Sequence, residues 1–143
     1  MWRRMLFGLA TAGWLMTPAL AQDDMPVFTG MAVAQAPEAG LGVCFSTTPE
    51  EGMECAQHEC MEQSGLGEAD CAINLWCYPH AWAAQVAVMH VEGIHWSKFF
   101  CDHMTREELD ADVALYCGSE MFSDCLPVRI WDPDGTAVLD YEQ

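Results

Sequence analysis

Cys44-Phe-Ser-Thr-Thr48-Pro-Glu-Glu51-Gly-Met-Glu-Cys-Ala-Gln-His-Glu-Cys60 matches Cys101-Asp-His-Met-Thr105-Arg-Glu-Glu108-Leu-Asp-Ala-Asp-Val-Ala-Leu-Tyr-Cys117 without a gap, at a constant offset of 57 residues. A Cys, a Thr, two Glu and a second Cys coincide. Each copy contains Thr-x-x-Glu, a capping box in which the Thr hydroxyl accepts the N3 amide proton and the Glu carboxylate reaches back to the N-cap amide. Pro49 takes the first helical position, where its missing N–H costs nothing. The pattern predicts helices over 49–61 and 106–117. Leu109, Val113, Tyr116 and Cys117 form one apolar stripe at helical spacing in the second; Met53, Ala56 and Cys60 form a weaker one in the first.

Working outward, Cys71-Ala-Ile-Asn-Leu-Trp76-Cys77-Tyr-Pro79 answers Cys125-Leu-Pro-Val-Arg-Ile-Trp131-Asp-Pro133 at an offset of 54, which a shorter loop explains. Both read as strands leaving a helix. Ala83-Ala-Gln-Val-Ala-Val-Met-His90 and Ile94-His-Trp-Ser-Lys-Phe-Phe100 flank Val91-Glu92-Gly93, a hairpin turn with Gly where a positive φ is needed. Met31-Ala-Val-Ala and Leu41-Gly-Val-Cys-Phe are its degenerate counterpart. The expected fold is therefore α+β: a small disulfide-stapled domain of two hairpin-helix-strand pseudo-repeats, one over about 31–82 and one over about 83–143. Ahead of a single domain at 40–143, the Pro- and Gly-containing stretch 22–39 reads as a loose leader, with order beginning near Met31.

The chain opens on a targeting segment. Arg3 and Arg4 precede an apolar run from Met5 to Met16, then Pro18 and the small-residue site Ala19-Leu20-Ala21, which reads as a secretory signal peptide over 1–21 cleaved after Ala21. The run is shorter than the ~20 residues a bilayer span needs. Flanking residues of the twin-arginine signal are missing, so the general secretory route is expected. No membrane span remains after cleavage, and the expected location is periplasmic or secreted. All eight Cys are exported together, and an even number in an oxidising compartment reads as a disulfide framework.

The 143 residues carry 5 Lys and Arg against 22 Asp and Glu, a formal charge of -17. Cleavage removes two of the bases, so the mature charge is -19. Such a chain has no basic surface with which to displace counterions from a phosphate backbone, which excludes nucleic acid as a partner. It also repels anionic lipid headgroups. A cationic protein or peptide is the partner that the charge invites, since complementary fields speed and select encounters. Surface charge kept for solubility explains the same acidity with no specific ligand, as in an uncharacterised structural protein.

Cys60 near a helix end, Gly65 or Gly67, Asp70-Cys71, a hydrophobic strand, Cys77, the Trp82-Ala-Ala-Gln-Val-Ala-Val run, Gly93, Trp96, Thr105-Arg-Glu-Glu and Cys117 resemble the family catalogued as domain of unknown function 4189. Its members are small secreted bacterial proteins with Cys-rich, internally repeated sequences. The resemblance covers roughly Cys44 to Trp131. It implies a fold and carries no activity; the acidity and Cys55 depart from the family's usual appearance.

Eight Cys allow 105 connectivities. Three classes occur in both copies: Cys44 with Cys101, Cys60 with Cys117, and Cys71 with Cys125. Asp112 and Trp131 stand where Cys55 and Cys77 would repeat. A twelve-residue helix is about 18 Å long, and a disulfide needs Cα atoms within roughly 7 Å, so Cys44 does not meet Cys60. The expected bonds are Cys60 to Cys71, Cys117 to Cys125, Cys44 to Cys101 across the pseudo-symmetry, and Cys55 to Cys77 as a bond absent as a unit from the second copy.

Candidate sites are sparse. Glu51, Cys55, His58 and Glu62 share one helical face that offers metal ligands, although a solvated face with one disulfide accounts for it. Met89, His90, His95, His103 and Met104, with His58, suggest copper, since thioether and imidazole suit Cu(I); Met89 itself sits in an apolar run suited to the core. No catalytic signature or cofactor fingerprint appears. Ser97 follows His95 and is placed on the opposite face of the strand. Cys101-Asp102-His103 imitates a thiol beside a base, but a repeated Cys in an oxidising compartment is bridged. Asp132-Pro133-Asp134-Gly135 lacks the later ligands of a calcium loop and reads as a turn. Trp76, Trp82, Trp96 and Trp131 suit a core packed on disulfides. The expectation is a non-enzymatic exported binding module for a cationic partner, of the inhibitor or immunity type, without a cofactor; the alternative is a periplasmic copper-binding protein.

Overall fold

A computed structural model describes residues 27–141. The expected signal peptide and cleavage site, with residues 22–26 of the expected leader, lie outside the described residues. The elements run β1 (Gly30–Ala36), β2 (Gly40–Ser46), α1 (Pro49–Ser64), β3 (Ala72–Cys77), β4 (Trp82–His90), β5 (His95–His103), α2 (Arg106–Cys117), β6 (Phe122–Trp131) and β7 (Ala137–Asp140). They form an α+β domain with two antiparallel sheets, ordered β2-β1-β3 and β5-β4-β6-β7. Four disulfides staple it. No helix among the described residues is long and apolar enough to cross a membrane.

The helices begin where their caps put them. Thr48 and Thr105 are extended, and each hydroxyl accepts the amide of the Glu three residues on. The box is reciprocal only at α2, where Glu108 accepts from the Thr105 amide. In α1 the Glu51 carboxylate takes the Ser46 hydroxyl instead. Helix α1 runs on to Ser64 because Gly65, at φ 70°, supplies the left-handed residue that ends it, with its amide on the Met61 carbonyl.

Strand periodicity then builds four layers. Ala32, Ala34 and Ala36 of β1 face α1, while Met31 and Val33 face the second sheet. Ala84, Val86 and Val88 of β4 face α2 around Leu109, Val113 and Ile130, while Ala83 faces the first sheet. The order is thus α1, sheet, sheet, α2. The weak apolar stripe of α1 suffices because the helix lies very close to its sheet. A Cβ on Gly42 would strike the Ala56 carbonyl, and one on Gly52 would stand 2.6 Å from the Trp76 ring. Small side chains on both surfaces permit this approach, and dispersion gains follow from it.

Two expectations need correction. The leader assigned to 22–39 contains β1, which is the central strand of its sheet, and the β1–β2 turn. Its run of small residues resembles a linker, yet these are the residues that let α1 approach. The second correction concerns the cysteines. Cys60–Cys71 and Cys117–Cys125 form as the spacing argument expects, but Cys44 joins Cys55 and Cys77 joins Cys101. Neither Cys44–Cys101 nor Cys55–Cys77 exists.

A single bulge explains the exchange. Cys44 and Cys101 each precede a helix cap by four residues. Between Trp82 and Ala84 of β4, however, three steps of β5 (Phe100 to His103) oppose two of β4, and Asp102 sits at φ 68°. One extra residue reverses which face the preceding side chains occupy. Cys44, opposite Ala32, therefore faces α1 and reaches Cys55, whereas Cys101, beside Phe99, faces the other sheet and reaches Cys77. After the bulge His103 takes the helix-facing position and meets Asp112, with Nε2 2.8 Å from Oδ2. The second half thus links strand to helix by a His–Asp pair, where the first uses a disulfide.

Candidate inter-sheet binding cleft

The space between the sheets is closed at one end and open at the other. At the closed end lie Cys77–Cys101, Met31, Val33, Ala83, Trp131 and His80, which is fully buried. The His80 ring bridges the two halves: Nδ1 lies 2.9 Å from the Thr29 carbonyl and 3.1 Å from its hydroxyl, and Nε2 lies 3.1 Å from the Asp132 carbonyl. Phe45 packs on it at 4.6 Å and on Trp131 at 5.9 Å between ring centroids. This end is therefore filled by side chains and covalently joined.

At the open end they leave a cleft of about 950 Å³. Leu41, Val43, Ala87 and Val128 supply its apolar wall, and the β1–β2 turn from Pro37 to Gly40 overhangs it. Gln85 is buried within it and donates to the Ser97 hydroxyl at 3.1 Å. Glu38, Glu59, Asp124 and Asp140 bring four carboxylates to the lining. Glu59 also accepts the Val43 amide at 3.3 Å, and Gln63 the Leu41 amide at 3.4 Å, so α1 side chains occupy the free edge of β2.

No uncommitted cation opposes these acids. Lys98, Arg106 and Arg129 are the basic side chains among the described residues. Arg129, in the lining, pairs with Asp140 at 2.9 Å; Arg106 pairs with Asp110 at 2.8 Å; and Lys98 lies over Phe100 and Tyr116, away from the cleft. Enclosed by apolar walls of low polarisability, a net negative rim focuses its field on whatever enters. The size suits a small ligand or one peptide segment.

The residues singled out in the sequence are mostly apart. Met89 and His95 face each other across β4 and β5 and line the cleft mouth. His58 pairs with Glu62 at 3.9 Å on the exposed side of α1, and Cys55 is bonded to Cys44, so the proposed helical ligand face does not exist as one. The Cys44 and Cys55 sulfurs with the Glu59 carboxylate are the one close trio of His, Cys, Asp or Glu ligand atoms among the described residues, and both sulfurs are consumed in their mutual bond. His90 accepts the Glu92 amide at Nδ1. His103 is held by Asp112, its Nδ1 buried without a partner, and neighbouring Met104 is exposed. Cys101 is bridged and provides no thiol. His95 and Ser97, expected on opposite faces, both line the cleft, because residues two apart on a strand share a face. Asp132 accepts the Asp134 and Thr136 amides and forms a turn.

Sequence reading missed Gln85, Arg129, Asp140, Tyr141 and the overhanging turn. The one local signal was Gln85, a lone amide in an Ala and Val run. Comparison with family models, curated proteins and solved structures finds no match for the chain.

Proposed function

We propose that this protein is an exported, non-enzymatic binding module that receives a basic peptide, or a basic segment of a larger protein, in the inter-sheet cleft, in the manner of an inhibitor or immunity factor. One observation carries the reading: the cleft combines an apolar wall with four carboxylates, and its only guanidinium is already paired. Four disulfides are typical of oxidising compartments outside the cytoplasm, and they support the exported half of the reading. A lysine or arginine chain lays its apolar stem on Leu41 and Val43 and its charge among the acids.

Calorimetric titration with an oligolysine peptide tests it. The expected result is saturable binding that weakens with salt, and a loss of about tenfold in the Glu38→Gln, Asp124→Asn pair, or 1.4 kcal/mol by the usual conversion. Glu54→Gln with Glu107→Gln removes the same charge outside the lining and should cost much less. Equal losses for the two pairs would reduce the acidity to a general field and leave the solubility explanation standing.

A further inference from the structure

We infer that the mouth of the cleft holds a Cu(I) site, with the Met89 thioether and the His95 imidazole as ligands and Glu38 as a positioning residue. Met89 and His95 are direct partners in the β4–β5 register and both line the cleft. Directly opposite residues have Cβ atoms about 4.5–5.5 Å apart, so two flexible side chains leaving the same face there can converge on one ion. Neither side chain is spent on the core. Met89 is 36% exposed and the His95 side chain 56% exposed, so an ion can enter without opening the fold.

The donor set selects the metal. Every Cys is bonded, so no thiolate competes and thioether sulfur is the soft donor left. Thioether with imidazole favours Cu(I) over harder divalent ions. The Glu38 carboxylate, reaching over from the β1–β2 turn, lies 3.9 Å from His95 Nε2. A carboxylate there adds negative charge beside the imidazole, which draws a cation to the ring and restrains its orientation. Asp124 stands opposite Met89 on its other side, in β6, and adds negative charge toward the same mouth. The other His–Met neighbours do not qualify. His103, beside Met104, has one nitrogen on Asp112 and the other buried, and His90 accepts an amide at Nδ1. The inference does not rest on the peptide-binding reading.

Anaerobic competition between the oxidised, signal-free protein and a chromophoric Cu(I) chelator tests it. One equivalent of Cu(I) is expected per chain, with affinity reduced at least tenfold in Met89→Leu and in His95→Gln, and by a smaller factor in Glu38→Gln. Met104→Leu and His58→Gln should change nothing. Titration with Ag(I), a diamagnetic substitute, should move the Met89 methyl resonance and no other methionine methyl. Absence of stoichiometric uptake would overturn the site, and so would uptake indifferent to Met89→Leu and His95→Gln. Both side chains are exposed, so these variants retain the fold, and a far-ultraviolet spectrum confirms it.

Discussion

Cys77–Cys101 is the covalent link between the two sheets, and its removal gives the sharpest test of the architecture. Its partners are 24 residues apart, against 11 for Cys44–Cys55 and Cys60–Cys71 and 8 for Cys117–Cys125. Chain entropy then assigns it about 3.4 kcal/mol, against about 2.8 and about 2.5 for the others. It also clamps the cluster in which Phe99, Leu75 and Met31 meet, so its loss loosens the joined end of the two sheets that line the cleft. Cys77→Ala with Cys101→Ala should lower unfolding free energy by about 3 kcal/mol in guanidinium titration, more than removal of any other pair. Oligolysine binding should weaken in parallel. Non-reducing peptide mapping of the unaltered protein should recover Cys77 joined to Cys101. A loss below about 1 kcal/mol would refute the inter-sheet role. A recovered Cys44–Cys101 peptide would refute the bulge argument itself.

His80→Ala should destabilise by about 3 kcal/mol, since it empties a fully buried site and removes the ring's hydrogen bonds to the Thr29 and Asp132 carbonyls, each of which keeps only its backbone amide partner, as denaturant titration would show. Gly42→Ala places a methyl against the Ala56 carbonyl and should abolish accumulation of soluble protein or cost about 3 kcal/mol, whereas Gly67→Ala, in open surroundings, should be nearly silent. Asp102→Gly should leave stability unchanged or slightly raised, while Asp102→Val should lose roughly 1–2 kcal/mol because a β-branched residue is held at φ 68°. A Val variant as stable as the parent by thermal melting would show that the bulge relaxes.

Local rules written in the chain were sufficient for the elements. Thr48 and Thr105 caps, Pro49 at N1 and the alternation around Gly93 all act within a few residues, so both helices and the β4–β5 hairpin were legible in advance. Cys60–Cys71 and Cys117–Cys125 were legible for the same reason, because a short loop after a helix end leaves each cysteine one near neighbour. The β1–β2 hairpin was legible as the counterpart of β4–β5, but its bounds were not, since alanines that serve close helix approach look like those of a linker and placed 22–39 in a leader.

What the amino-acid sequence determined by itself is an acidic, cysteine-bridged α+β chain with a hairpin, a helix and a strand in each half. Tertiary structure alone decided how the sheets stack, which cysteines join them and where the cleft lies. Those outcomes depend on which face a strand presents, and one residue in β5, Asp102, shifts that face by half a period. Composition and spacing are unchanged by such a shift. The position of Cys101, and with it the joined end of the sheets opposite the acidic cleft, is set by a backbone conformation that only the packed structure selects.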